Sequence, residues 1–247
     1  MSDSISQIQT FIEKNIRNYA DESRQLSEVA YACLRDAILY TDIRAGDPLS
    51  EHRLSKALNV SRTPLRAAIQ KLAQEGMLQV IPGRAVVIAS RSPQQVMDGF
   101  GVRVLLEPEA CRSAALTLDQ QSRERLKEYT QRLIDAANAR DRSAWSQTDH
   151  QWHQVIADAC PNQLLGRMVM QAYFQMRVHG VVPRISTDSL LPGTQEHVAI
   201  ADAILNGDGA RAADLMRQHL QSARDRIFLT DLLPQGIQFL KGISGEA

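Results

Sequence analysis

The stretch from residue 50 to 84, SEHRLSKALNVSRTPLRAAIQKLAQEGMLQVIPGR, constrains the fold of this chain more than any other. Residues 51–58 form a short helical pattern with Leu54 and Ala57 as its apolar spots. Asn59 and Val60 break that pattern, and Ser61 opens a second helix that runs to about Glu75. Ser61 suits the N-cap, because its hydroxyl can accept from an unpartnered amide of the first turn. Pro64 is tolerated there, since first-turn amides lack intrahelical partners in any case. Leu65, Ile69 and Leu72 share one face at helical spacing. Arg62, Thr63 and Arg66 lie off that face, Lys71 follows, and no acid occurs between Val60 and Ala73. The runs 78–81 and 85–88, separated by Pro82-Gly83-Arg84, read as a two-stranded wing. Helix, turn, basic helix and wing in that order predict a winged helix-turn-helix with its second helix in the major groove of DNA. An ordinary helical hairpin with a solvated basic face would explain a lone Arg-Thr-x-x-Arg, but not the whole succession.

The formal charge of the 247-residue chain is zero, yet the charge is not spread evenly. From Leu26 to Ser92 nine basic residues stand against six acidic ones, so this segment is net positive and the remainder net negative. Cys33, Cys111 and Cys160 are widely spaced with no C-x-x-C, and each falls in an apolar helical pattern. They read as buried free thiols of a reducing compartment. No stretch approaches the length of a membrane span, and no apolar leader follows Met1. The expectation is a soluble cytoplasmic protein.

Four segments follow from the pattern. Residues 1–24 are a polar extension with a helix from about Ile5 to Tyr19 and no identifiable partner. Residues 25–92 hold the winged helix, whose first helix carries a stripe of Leu26, Val29, Cys33 and Ala37, and residues 43–49 are a loop. Residues 93–231 read as an all-α bundle that follows the linker Ser-Arg-Ser-Pro at 90–93, and residues 232–247 are a tail. Bundle helices are expected near 94–115, 118–139, 142–159, 163–181, 193–206 and 209–230. Pro108 should kink or divide the first, and Pro192-Gly193 should mark a break. The fold class is mainly α, with a small β wing.

Polar residues on the buried faces of this bundle carry its chemistry. Asp149 and His153 are four residues apart, on the face defined by Trp145, Trp152, Ile156 and Cys160. His197 aligns with Ile200, Ala201 and Ile204, and His219 with Ala212, Met216 and Ala223. Burying such groups unpaired costs several kcal/mol, roughly 2–7 each, so something must satisfy them. A divalent metal does so with one ion, zinc first, with nickel or manganese as other choices. A lone inward histidine is more often a hydrogen-bonded core residue; four groups in register favour the metal. Arg103 and Glu107 share a further inward face and read equally as an ion pair or as half of an anion clamp. Arg177, one turn past Tyr173, stands under the same alternatives.

With these residues in view, the chain resembles the GntR family of bacterial transcription regulators, FadR-type branch, with a C-terminal FCD ligand-binding domain. The likeness covers about residues 26–230, and VSRTPLR is its most specific part. It rests further on R-x-x-x-E at Arg103 and Glu107, D-x-x-W-H at Asp149 and His153, Asn162, Glu196-His197 and His219. The resemblance implies that Arg53, Ser61, Arg62, Thr63 and Arg66 meet an operator, and that the wing tip at Gly83 and Arg84 reaches the minor groove. It implies metal ligands at Asp149, His153, His197 and His219 in a sensor of small carboxylic acids, with Arg103 and Arg177 as effector contacts. A homodimer on a palindromic double-stranded operator, most often released by its ligand, completes the expectation. A metal-dependent enzyme acting on a small carboxylate is the competing reading. Against it, no spare inward Glu, Tyr or Lys stands out as a general base, and the helix-turn-helix would be unexplained.

Overall fold

In the computed structural model, residues 3–19, 25–41, 43–82, 85–90, 92–177 and 187–231 are described, except the side chains of residues 93, 177 and 228–231. They divide into two compact units. One holds the residues up to Gln95 together with the end of the helix that starts at Gln163; the other holds the rest.

The first unit is a winged helix with an added helix. Helix α1 (Ser4–Asn15) starts on Asp3, whose side chain accepts from the Ser6 amide, and a 3₁₀ turn at Ile16–Asn18 follows it. Helices α2 (Leu26–Tyr40), α3 (Glu51–Leu58) and α4 (Arg62–Gln74) form the core of the unit. Ser50 caps α3 through the Arg53 amide, and Asn59 closes it in the left-handed conformation at φ 52°. That conformation turns the chain sharply enough for α4 to cross α3, and asparagine tolerates it better than most residues. Leu54 and Leu58 are buried on α3, in place of the expected Leu54 and Ala57. Leu65, Ala68, Ile69 and Leu72 are buried on α4.

Ser61 stands at the N-cap of α4 with extended backbone, but its side chain makes no capping hydrogen bond. The expected position is correct and the expected bond is not made. Strands β2 (Leu78–Ile81) and β3 (Ala85–Ile88) form the wing. A third strand, β1 (Pro48–Leu49), pairs with β3 on its other side, so the sheet order is β1-β3-β2 and all pairs are antiparallel. Residues 48–49 were expected in a loop; two residues headed by a proline carry no alternation that would mark a strand.

The second unit is built from α5 (Pro93–Thr117), α6 (Gln120–Asn138), α7 (Arg142–Ala159), α8 (Gln163–Arg177), α9 (Leu190–Leu205) and α10 (Gly209–Asp231). Helix α5 runs through Pro108 as one helix, so of the expected kink or division the division does not occur. Helix α9 starts at Leu190 and contains Pro192 and Gly193, which were expected to interrupt it. Pro192 is the third residue of that helix, where a missing amide leaves no intrahelical bond unmade. Asp119 and Asp141 cap α6 and α7 by accepting from Ser122 and Ala144 amides at 2.7 and 3.0 Å. Gly166 permits the close crossing of α8 on α7: a Cβ there would sit 2.3 Å from the Ala157 carbonyl oxygen. The core is continuous through Cys111, Leu126, Leu133, Trp152, Ile156, Ile200, Ile204, Met216 and Leu220. Cys33, Cys111 and Cys160 are buried free thiols, as expected. No helix among the described residues is long and apolar enough to cross a membrane.

Candidate metal and effector centre

Helices α7, α9 and α10 bring His153, His197 and His219 together in the interior of the bundle. One ring nitrogen from each lies within 4.8 Å of the others. All three residues are buried, and the His197 and His219 rings are 4.4 Å apart between centroids. Trp145 and Trp152 meet the His197 ring edge-on. Both indoles are anchored, Trp145 Nε1 donating to Thr194 Oγ1 and Trp152 Nε1 to Thr130 Oγ1, at 2.7 and 2.9 Å.

The outer nitrogen of each ring is engaged. His197 Nδ1 lies 2.7 Å from the Gly193 carbonyl oxygen, and His219 Nδ1 lies 2.7 Å from Glu196 Oε2. His153 Nδ1 meets Glu107 Oε1 in a short contact. A carbonyl or carboxylate oxygen can only accept, so each Nδ1 carries the proton. In the neutral ring Nε2 is then a bare lone pair. Burial holds His153 below the usual histidine value, against the pull of the Glu107 carboxylate. Burial and the neighbouring His197 lower His219 to about 3. Both shifts favour the neutral ring, the form that can act as a ligand.

Asp149 supplies the decisive detail. Its Oδ1 lies 3.1 Å from His197 Nε2 and 3.7 Å from His153 Nε2, while Oδ2 accepts from the Tyr173 hydroxyl at 2.6 Å. His197 Nε2 is buried with no hydrogen-bond partner. A carboxylate oxygen therefore faces a lone pair at van der Waals range, an arrangement that repels unless a positive charge lies between them. Protonating His197 would relieve that one contact, but would add an imidazolium beside two further buried rings. A cation relieves all of them together. The donor set of nitrogen and carboxylate oxygen fits a divalent ion.

An outer ring of charges holds these side chains. Glu107 bridges His153 and Arg103, whose Nε donates to Glu107 Oε2 at 2.7 Å. Burial alone would raise the Glu107 carboxyl, yet Arg103 and His153 hold it well below the usual carboxylate range. Glu196 bridges His219 and Arg226, which grips both carboxylate oxygens at 2.7 and 2.8 Å. Against burial, Arg226 and His219 hold Glu196 at about 2. Arg103 is thus an ion-pair partner, and its guanidinium also lies over the Tyr173 ring, with Nη2 3.4 Å from His153 Nε2. Neither the Glu196–Arg226 pair nor the Glu107–His153 contact was legible in the sequence reading, although Glu107 and Glu196 both stand in the motifs. Arg177 ends α8, and its side chain lies outside the described residues.

In the first unit Ser61, Arg62, Thr63 and Arg66 are exposed on the first two turns of α4. Arg66 Nε lies 3.0 Å from Glu51 Oε2, an exposed pair of the kind worth about 0–1 kcal/mol and easily exchanged for another anion. Arg53 is on α3, not α4, and its guanidinium is taken up by α1. Gly83 and Arg84 lie outside the described residues.

Comparison with known proteins places the chain in a class. Residues 26–88 match the gntR family of bacterial regulatory proteins, and residues 98–222 match the FCD domain. The chain belongs to the GntR regulators that carry an FCD domain, a family of transcription regulators and not of enzymes. It is 25% identical over 214 residues to the HTH-type transcriptional repressor RspR of Escherichia coli (strain K12), covering 86% of this chain and 93% of that one. It is 26% identical over 220 residues to the HTH-type transcriptional regulator BphR of Paraburkholderia xenovorans (strain LB400), covering 84% and 90%. Among solved structures, E. coli McbR/YncC superposes with a TM-score of 0.74 at 19% identity, covering 84% of this chain and 99% of that one, a likeness of fold.

Proposed function

We propose that this transcription regulator senses a small carboxylic acid at a divalent metal held by Asp149, His153, His197 and His219. One observation carries the reading: a bare Nε2 of His197 faces Asp149 Oδ1 at 3.1 Å beside two more neutral imidazoles. Zinc is the first candidate for the ion, with nickel and manganese compatible with three nitrogens and one oxygen. Four protein ligands leave positions open in a five- or six-coordinate sphere, and an acid is the natural occupant. Its carboxylate would meet the metal and Nη2 of Arg103, which lies 3.4 Å from His153 Nε2. Tyr173 would line the site beside Arg103, since its hydroxyl orients Asp149 and its ring lies under the Arg103 guanidinium.

The DNA half of the reading assigns base contacts to Arg62, Thr63 and Arg66 at the exposed start of α4, with Ser61 beside them. A symmetric dimer on a palindromic operator follows from the usual pairing of such units, one winged helix per half-site. Repression relieved by the acid is the mode of action, a reading supported by the likeness to the repressor RspR. Titrating small hydroxy- and dicarboxylic acids against a protein–operator complex tests it, with His197→Ala in parallel. Release from wild type alone supports metal-based sensing. An acid equally potent on both proteins refutes it.

A further inference from the structure

Helix α1 lies outside the stretch that matches the gntR family, yet it is built into the DNA-reading unit. Its Ile5, Ile8 and Ile12 are buried, the last two completely, and the helix packs on α2 and α3. Ser4 Oγ, at its start, bonds Asp47 and accepts from the Arg44 amide. The polar edge of α1 meets the Arg53 guanidinium. Arg53 Nε donates to Gln9 Oε1 at 2.8 Å, Nη2 to Ser6 Oγ at 2.9 Å, and Nη1 reaches Asp3 Oδ2 at 3.4 Å. Every guanidinium nitrogen of Arg53 is therefore turned toward α1.

Arg53 stands in the first turn of α3, the first helix of the helix-turn-helix, which crosses the DNA backbone when α4 lies in the major groove. The clamp is at the surface, with the side chains of Arg53 and Asp3 40% and 61% exposed. We propose that α1 holds Arg53 off the DNA backbone, so that Asp3, Ser6 and Gln9 limit how many phosphates the winged helix engages. The proposal rests on the DNA-binding reading above. The clamp works by occupying the donors a phosphate would need. Releasing the side chain leaves α1 docked, because its isoleucines are not part of the clamp.

The test uses the full chain and a random-sequence duplex of about 30 base pairs, whose binding reports phosphate contacts alone. Four proteins are compared by fluorescence anisotropy between 50 and 200 mM salt: wild type, Arg53→Ala, the triple variant Asp3→Asn/Ser6→Ala/Gln9→Ala, and the quadruple variant. Asn keeps the N-cap of α1, and the other two changes leave its buried face intact. The triple variant should gain about 0.9 in the slope of log K against log salt, one phosphate contact, or roughly eight-fold in affinity at 0.1 M. Arg53→Ala alone should match the wild-type slope, and the quadruple variant should lose the gain. A slope lowered by Arg53→Ala in the otherwise wild-type chain would overturn the proposal, as would a gain that survives in the quadruple variant. If wild type fails to bind the duplex at any salt, the DNA-binding reading falls and takes the proposal with it.

Discussion

Asp149→Asn should stabilise the metal-free protein while impairing its response to metal. Replacing a carboxylate among three histidines would ordinarily be expected to harm a fold. Here Oδ2 accepts from Tyr173, and an asparagine carbonyl placed there keeps that bond. The amide nitrogen then takes the position of Oδ1, 3.1 Å from the buried, unpartnered Nε2 of His197. A repulsive contact becomes an N–H···N hydrogen bond, and a buried acceptor worth about 1–3 kcal/mol when unsatisfied is satisfied. In chelator-treated protein the variant should melt several degrees above wild type, at ~2–8 °C per kcal/mol for domains of this size range. In wild type, free zinc at 100 times its Kd should add about 2.7 kcal/mol, and this rise should shrink sharply in the variant. Calorimetry with and without chelator reads both effects. If His197 is instead an imidazolium paired with Asp149, the substitution breaks a buried ion pair and costs ~3–5 kcal/mol. A metal-free variant that melts below wild type would therefore refute the lone-pair argument.

Other outcomes follow from the same geometry. Glu107→Gln and Glu196→Gln should each weaken metal affinity about 10–100-fold without removing a ligand, because they orient His153 and His219; competition with a zinc-sensitive dye measures this. Arg62→Ala should cost about 1–3 kcal/mol of operator affinity and relax discrimination at one base pair, as read by binding to a panel of mutated sites. Ile12→Ala, at a fully buried position, should destabilise the first unit by about 2–5 kcal/mol, seen as a lower urea midpoint. Metal-free protein should lose stability as pH falls from about 6.5 toward 3. His219 is held at about 3, so the unfolded chain binds a proton through that range and the native chain does not. A urea midpoint that stays flat between those pH values would contradict that assignment.

Much of the molecule is legible because burial and helical period agree. Helix α3 was bounded correctly by its apolar spacing and the Asn59 break, and both wing strands by their β-branched runs around Pro82. The inward faces of α7, α9 and α10 bring Asp149, His153, His197 and His219 together from the sequence pattern alone, since a polar residue on an apolar stripe points inward. What failed to show were pairings between elements. The polar extension is expected to hold a helix from about Ile5 to Tyr19, but the surface that its isoleucines cover does not show, because apolar faces have no addresses. The resemblance sets Arg53 on the operator, while its partners on the polar edge of α1, some 44 residues away, leave no mark in the sequence pattern. Glu196 and Arg226 were hidden for the same reason. Pro192 misled because a proline's meaning depends on its distance from the helix start.

The central claim is that the interior of the helical unit is a metal centre and not a cluster of core histidines. Elemental analysis of protein purified without added metal tests it most directly, on wild type and on single Ala variants of His153, His197 and His219. The account predicts about one divalent ion per chain in wild type, lost in each variant, with a melting temperature that falls when a chelator strips it. A wild-type protein that is metal-free, takes up no zinc and keeps its melting temperature in chelator would contradict it.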